Sequence, residues 1–178
     1  MKIHDLLKEL NACDSAQKWA SDKTWEQIYN ECHRGDWLCW LFVRTNPNDI
    51  QLLTLVKGHQ ANTVRHLMKD ERSLAAVDAA IAFGEGKITI DELNLAAIKA
   101  YDVYAAKSYD VYDVSAAAYA SHAAAYAAAY SAYAADAAAY SADAAAYSAA
   151  AAATSKEQNQ QEGAYIFRKF IPINKFNI

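Results

Sequence analysis

The chain has 178 residues and a formal net charge of -4 at pH 7, enough for one domain with a hydrophobic core. The acidic balance disfavours binding to nucleic acid or to an anionic membrane surface, because both require a basic protein surface. The N-terminus has no signal-peptide core, and no segment has the hydrophobicity of a membrane span. We therefore expect a cytoplasmic protein with neither nucleic acid nor a membrane among its partners.

Cysteine usage agrees with that compartment. Cys13, Cys32 and Cys39 are an odd number and form no C-x-x-C pair. This pattern predicts reduced, partly buried thiols.

The low content of helix breakers predicts an all-α fold. Pro47 and Pro172 are the only prolines, the chain has five glycines, and no segment alternates with the period of a strand. We expect a multi-helix bundle with a long Ala/Tyr-rich helix or helices, forming one domain over residues 1–178. Its predicted parts are a short-helix half (1–90), an Ala/Tyr-rich helical half (91–153) and a closing helix (155–172).

Local signals in the first half predict where helices begin and end. Thr24 and Gln27 have the spacing of a capping box, which starts a helix running to about His33. Gly35 fits the left-handed position that stops this helix. Asp36 then fits the N-cap of the next helix.

The middle of the chain predicts two further helix starts. A helix from Ile50 to about Lys69 is expected, followed by a new helix with Asp70 as its N-cap. After the glycines near position 85, Asp91 is predicted to cap the helix that carries Leu93.

Tyrosine recurs with a heptad period in the Ala-rich segment, where about two residues in three from 116 to 153 are alanine. The repeat comprises Tyr112, Tyr119, Tyr126, Tyr133, Tyr140 and Tyr147. The positions four further on are alanine, except for Tyr130. Together the two sets have the seam spacing of packed helices. We favour a packed seam, within one chain or between two copies, so a homo-oligomer stays open. A tyrosine-lined ligand groove and a partner-binding face are the alternatives.

Motifs for catalysis are missing from the sequence. It contains no G-x-S-x-G, phosphate loop, H-E-x-x-H or dinucleotide-binding glycine pattern. His59, His66 and Asp70 share a spacing that could hold a metal, but no third nitrogen or thiolate lies nearby in sequence. We expect a non-enzymatic protein with no metal and no cofactor.

Three segments together resemble one family. They are Cys32–Trp40 (CHRGDWLCW), His66–Leu74 (HLMKDERSL) with Phe83–Gly86 (FGEG), and the repeated Ala-Ala-Ala-Tyr. The chain resembles the alanine-rich proteins of bacteria and their phages to which an immunity role is assigned, and Arg168–Pro172 resembles their closing helix. The resemblance implies an all-helical fold that binds and neutralises a toxin of a polymorphic toxin system.

Three functions are open as expectations. The first is an immunity protein that masks a toxin, for which the net charge favours a basic partner. The second is a protein that binds a nucleotide in a tyrosine-lined pocket, with Lys107, Arg72 or Arg168 on its phosphate. The family's occurrence in phages implies a related role, a counter-defence protein that inhibits a host immune enzyme or sequesters a nucleotide signal. The third is a purely structural helical module. The candidate partner- or ligand-binding residues are Arg34, Asp36, Trp37, Asp70, Arg72, Tyr126, Tyr130, Tyr133 and Arg168.

Overall fold

The described part of the chain is built from α-helices. A computed structural model describes residues 3–63, 65–68, 70–109 and 156–178, with only the backbone for residues 67, 101–109, 156 and 159. Its helices are α1 (Ile3–Glu9), α2 (Asp14–Ala20), α3 (Trp25–Glu31), α4 (Gly35–Thr45), α5 (Ile50–Asn62), α6 (Glu71–Gly84), α7 (Ile90–Tyr109) and α8 (Lys156–Phe170). Two 3-10 turns span Arg65–Leu67 and Ile173–Lys175. These ranges contain no strand, so the all-α prediction is confirmed.

Two hydrophobic clusters hold these helices together. The larger one joins α1 to α5 with α8 around Phe42, Val56 and Phe167, none of which is exposed. The smaller one packs α6 between α5 and α7 around Val77 and Leu93. The closing helix, predicted over 155–172, is α8, and it lies against α4 and α5. The heptad tyrosines and the seam prediction lie outside the described residues, so the single-domain organisation stays a prediction.

The capping box at the start of α3 is confirmed. The Gln27 backbone N–H donates to Thr24 Oγ1 at 3.3 Å, and the Thr24 backbone N–H donates to Gln27 Oε1 at 2.8 Å. Both partners lie three residues apart, so local sequence was sufficient to identify them. The helix ends at Glu31, two residues before the predicted end.

The prediction that Gly35 stops α3 in a left-handed conformation is wrong. Gly35 is buried and is the first residue of α4, where a Cβ would lie 2.5 Å from the Gly163 carbonyl carbon of α8. Glycine is required there because the α4 and α8 backbones approach each other closely. Asp36 accordingly lies in the first turn of α4, whose N-cap is Arg34, so the N-cap prediction for Asp36 is also wrong.

Two other helix boundaries differ from the predicted ones. The helix predicted over Ile50 to Lys69 ends at Asn62 and gives way to a 3-10 turn. The helix α7 is capped by Thr89 instead of Asp91: the Glu92 backbone N–H donates to Thr89 Oγ1 at 3.3 Å, and Glu92 Oε2 accepts from the Thr89 backbone at 2.7 Å. By contrast, Asp70 is the N-cap of α6, as predicted, and accepts from the Arg72 backbone N–H at 3.0 Å.

None of the helices in the described ranges combines the length and the hydropathy that a lipid bilayer crossing requires.

Candidate functional site

A surface pocket lies among α1, α2, α3 and α4. Its volume is about 250 Å³, and we call it the tryptophan pocket. Its lining comprises Leu7, Ala12, Cys13, Ala16, Trp19, Ala20, Ile28, Cys32, Arg34, Asp36, Trp37, Leu38, Trp40 and Leu41. Most of these side chains are apolar, and one ion pair stands among them.

Alanine spacing explains why room remains between these short helices. Ala16 and Ala20 are four residues apart in α2, so they share one face of that helix, and Ala12 lies just before it. All three line the pocket. A methyl group fills little space, so larger side chains from α4 form the opposite wall without closing the cavity.

Aromatic rings from α2 and α4 also line the pocket and carry cations on their faces. The rings of Trp19 and Trp37 are 6.2 Å apart between centroids, within the range of favourable aromatic pairs. Three cations stand over tryptophan rings: Arg34 at 4.7 Å from Trp37, Lys23 at 5.1 Å from Trp19 and Arg44 at 5.8 Å from Trp40. Each such pair contributes about 0.5–1 kcal/mol at an exposed site. The cations therefore help to hold the tryptophans in place.

The ion pair of the pocket joins two of the predicted site residues. Arg34 Nε donates to Asp36 Oδ1 at 2.8 Å, and Arg34 Nη2 donates to Asp36 Oδ2. Asp36 is buried, whereas Arg34 is half-exposed. A two-point contact of this kind fixes the orientation of both side chains. The structure thus brings Arg34, Asp36 and Trp37 together in one pocket.

Asp70 and Arg72 lie elsewhere, at the start of α6. Arg72 Nη2 donates to Asp70 Oδ2 at 2.9 Å, and neither residue lines the tryptophan pocket. Arg72 instead lines a second surface pocket of about 360 Å³ between α6 and α7, together with Glu92, Leu95 and Lys99. The sequence motif that contains Asp70 and Arg72 therefore forms a helix start, as its N-cap interpretation predicted.

Arg168 holds α8 against the C-terminus of α3. Its Nε donates to the Tyr29 carbonyl oxygen at 2.7 Å, and its Nη2 donates to the Cys32 carbonyl oxygen. Carbonyls at a helix C-terminus lack intrahelical donors, and a cation there is favourable. Arg168 thus has a structural role, and its predicted role in binding stays a prediction.

The remaining predicted site residues lie outside the described ranges. Tyr126, Tyr130 and Tyr133 belong to residues 110–155, and the side chain of Lys107 is also not described. A tyrosine-lined nucleotide pocket therefore stays a prediction.

The three thiols differ in exposure. Cys13 is exposed at the tryptophan pocket, while Cys32 and Cys39 are buried. The reduced state of the three thiols stays a prediction. Burial raises the pKa of Cys32 to about 11 and that of Cys39 to about 12. Reagents that attack thiolates should therefore react first at Cys13.

The residues that could form a metal site do not converge. The His59 ring stacks on Phe170 with centroids 4.5 Å apart, and His66 is exposed in the 3-10 turn. Within the ranges that the structure describes, no three His, Cys, Asp or Glu side chains are grouped to hold a metal ion.

Sequence reasoning missed several features that the fold creates. Trp19 and Trp40, which line the pocket with Trp37, were not chosen as site residues. A signal was present, because all four tryptophans of the chain lie between positions 19 and 40. Lys57 was also missed: its side chain is 1% exposed inside α5, and burial lowers its pKa to about 7 despite the proximity of Cys39.

Comparison with known families, with curated proteins and with solved structures gives no match to this chain.

Proposed function

We propose that this chain is a non-enzymatic binding protein of the immunity type, which neutralises a toxin by binding it directly through the surface around the tryptophan pocket. The observation that carries the proposal is the location of the segment Cys32–Trp40. This segment carries much of the family resemblance, and five of its residues beyond Cys32 line the pocket: Arg34, Asp36, Trp37, Leu38 and Trp40.

The residue types at this surface support a protein partner. Tryptophan and arginine are enriched among the residues that dominate the binding energy of protein interfaces. Trp37 is half-buried with the half-exposed Arg34 stacked on it, so both present area to a partner. Their positions are fixed by the ion pair with Asp36, which lowers the entropy lost on binding.

Charge favours one class of toxin. The net charge of -4 speeds the encounter with a basic protein such as a nuclease toxin. Arg34 at the pocket and Lys23, which lies over the Trp19 ring, then bind carboxylates or carbonyls of the partner locally, while the net charge of the chain attracts it.

Co-expression tests the proposal. Each toxin gene found beside the gene for this chain is expressed in a sensitive host with the wild-type chain, with Trp37→Ala or with Trp25→Ala. Trp25 is the matched control, because it is also half-buried but contacts Tyr29 and Phe176 away from the pocket. We expect the wild type and Trp25→Ala to restore growth and Trp37→Ala to fail, with all three present at equal levels.

Two results would contradict the proposal. If the wild type protects against no neighbouring toxin and forms no complex with one, the immunity function is wrong. If Trp37→Ala protects as well as the wild type, the surface around the tryptophan pocket does not bind the toxin.

A further inference from the structure

The tryptophan pocket has the size of a small aromatic molecule. Its volume is about 250 Å³, whereas an apolar cavity of about 150 Å³ accommodates benzene. The additional volume is enough for a second fused ring or for a ring with a substituent.

The walls of the pocket favour a flat, apolar group. Ala16 and Ala20 present methyl groups from α2, and Leu38 and Leu41 present aliphatic side chains from α4. Trp19 and Trp37 also line the pocket, and their rings favour offset or T-shaped contacts with an aromatic group.

The lining of the pocket also contains an ion pair. The Asp36 carboxylate lines the pocket and accepts two hydrogen bonds from Arg34. A carboxylate has about four acceptor sites, so Asp36 is able to accept a further hydrogen bond. A ligand with an N–H or O–H at its edge therefore complements this lining better than a plain hydrocarbon.

We infer that the tryptophan pocket binds a planar aromatic group bearing an N–H or O–H donor, of the indole or phenol class. The source of this group rests on the proposed function: it is a Trp or Tyr side chain that the toxin inserts into the pocket. The aromatic side chain is then the anchor of the interface, and the ion pair of Arg34 with Asp36 orients it.

Free indole tests the pocket itself, and Cys13 reports its occupancy. Cys13 lines the pocket and is exposed, whereas Cys32 and Cys39 are buried. The rate of Cys13 alkylation by iodoacetamide is measured by mass spectrometry with increasing indole, and then with 1-methylindole, which lacks the donor. We expect indole to slow alkylation in a saturable manner and 1-methylindole to bind about tenfold more weakly, which is the effect of one modest hydrogen bond.

Two outcomes would overturn the inference. If indole leaves the alkylation rate unchanged up to its solubility limit, the pocket does not bind an aromatic group. If 1-methylindole protects Cys13 as well as indole does, the role of Asp36 is wrong.

Variants that fill the pocket give a second test. Ala16→Trp occupies the cavity from α2, and Ala16→Met does so more mildly should the larger side chain prevent folding. Ala75→Trp is the control, since Ala75 is exposed on α6 and does not line this pocket. For each variant, the ratio of alkylation rates with and without indole is compared. We expect a ratio near one for the Ala16 variants and the wild-type ratio for Ala75→Trp; wild-type ratios for both Ala16 variants would overturn the inference.

The same variants separate this inference from the proposed function. Loss of toxin protection in Ala16→Met, with protection kept in Ala75→Trp, supports insertion of a toxin side chain. Full protection by an Ala16 variant that no longer binds indole would refute the toxin as the source of the aromatic group, while the proposed function would stand. Indole binding by a chain that protects against no toxin would refute the proposed function and the toxin source but not the aromatic site.

Discussion

Two glycines, Gly35 of α4 and Gly163 of α8, lie where these helices cross. We predict that substitution by alanine destabilises the protein at Gly35 but not at Gly163. A Cβ on Gly35 would lie 2.5 Å from the Gly163 carbonyl carbon, 2.7 Å from the Ala164 nitrogen and 2.9 Å from the Gly163 Cα. All three are backbone atoms, so a rotamer change cannot relieve the contacts. A Cβ on Gly163 would instead lie 3.4 Å from Gln60 Nε2 and 3.8 Å from the Gly35 Cα, which are ordinary contact distances.

The magnitudes follow from these distances. Gly35→Ala must move the two backbones apart by about 1 Å to reach van der Waals contact, and overpacking of this kind costs about 1–3 kcal/mol. The displaced interface includes the fully buried Phe42 and Phe167, whose rings are 6.1 Å apart, so we expect the upper part of that range. Gly163→Ala meets little resistance, and alanine is favoured over glycine inside a helix by about 0.5–1 kcal/mol.

Urea denaturation, followed by tryptophan fluorescence and by circular dichroism, measures both effects. Gly35→Ala should lower the free energy of unfolding by about 2–3 kcal/mol, and Gly163→Ala should leave it unchanged or raise it by up to about 1 kcal/mol. The reasoning would be refuted if Gly35→Ala were as stable as the wild type, or if both substitutions were equally destabilising.

Three further predictions concern single residues. Thr24→Ala should lower the free energy of unfolding by about 1 kcal/mol in a thermal melt. Thr24→Ser should keep most of this stability, because it is the hydroxyl that caps α3. Arg168→Met should cost about 2 kcal/mol in urea, because the carbonyls at the end of α3 lose a charged donor; equal stability would contradict this role. Between pH 7 and 8, wild-type stability should rise by about 1 kcal/mol, because the unfolded chain keeps the Lys57 proton that the folded chain has lost. Lys57→Met should abolish this rise; above pH 9 the raised pKa values of Cys32 and Cys39 act with the opposite sign.

Local sequence predicted those features whose causes are local. The capping box of Thr24 with Gln27 and the N-cap Asp70 depend on neighbours two or three residues away, and both are confirmed. The all-α class follows from the scarcity of helix breakers in the chain. Thr89 and Glu92 also have the spacing of a capping box, so the cap of α7 was a local signal that the prediction of Asp91 missed.

Features that depend on distant elements were not predictable in the same way. Gly35 has the position of a helix stop in the sequence, and only the approach of Gly163, which lies more than a hundred residues further on, explains why it must be glycine. Lys57 belongs to a residue type that is rarely buried completely, yet the packing of α5 leaves it 1% exposed. Ile98 continues the helical spacing of Leu93 and Ala97, but it is 61% exposed.

The candidate site also combines residues that the sequence predicted with residues that only the packing of distant segments identifies. The motif Cys32–Trp40 drew attention to Arg34, Asp36 and Trp37, and the structure groups them. The opposite side of the pocket comes from α2 and its N-cap, including Ala16 and Cys13. Alanine carries no functional group, so its residue type does not indicate a site. The pocket is defined by where small side chains leave space, which depends on how the short helices pack.

The central claim is that the chain recognises the toxin through the surface around the tryptophan pocket. Titration calorimetry of the chain with a purified toxin, encoded beside the gene for this chain, tests this claim. Loss of an interface hot spot costs about 2 kcal/mol or more, which corresponds to about a thirtyfold weaker dissociation constant. We predict a loss of at least this size for Trp37→Ala and an affinity within about threefold of the wild type for Trp25→Ala. Equal affinities for the wild type and Trp37→Ala, or a loss confined to Trp25→Ala, would contradict the claim.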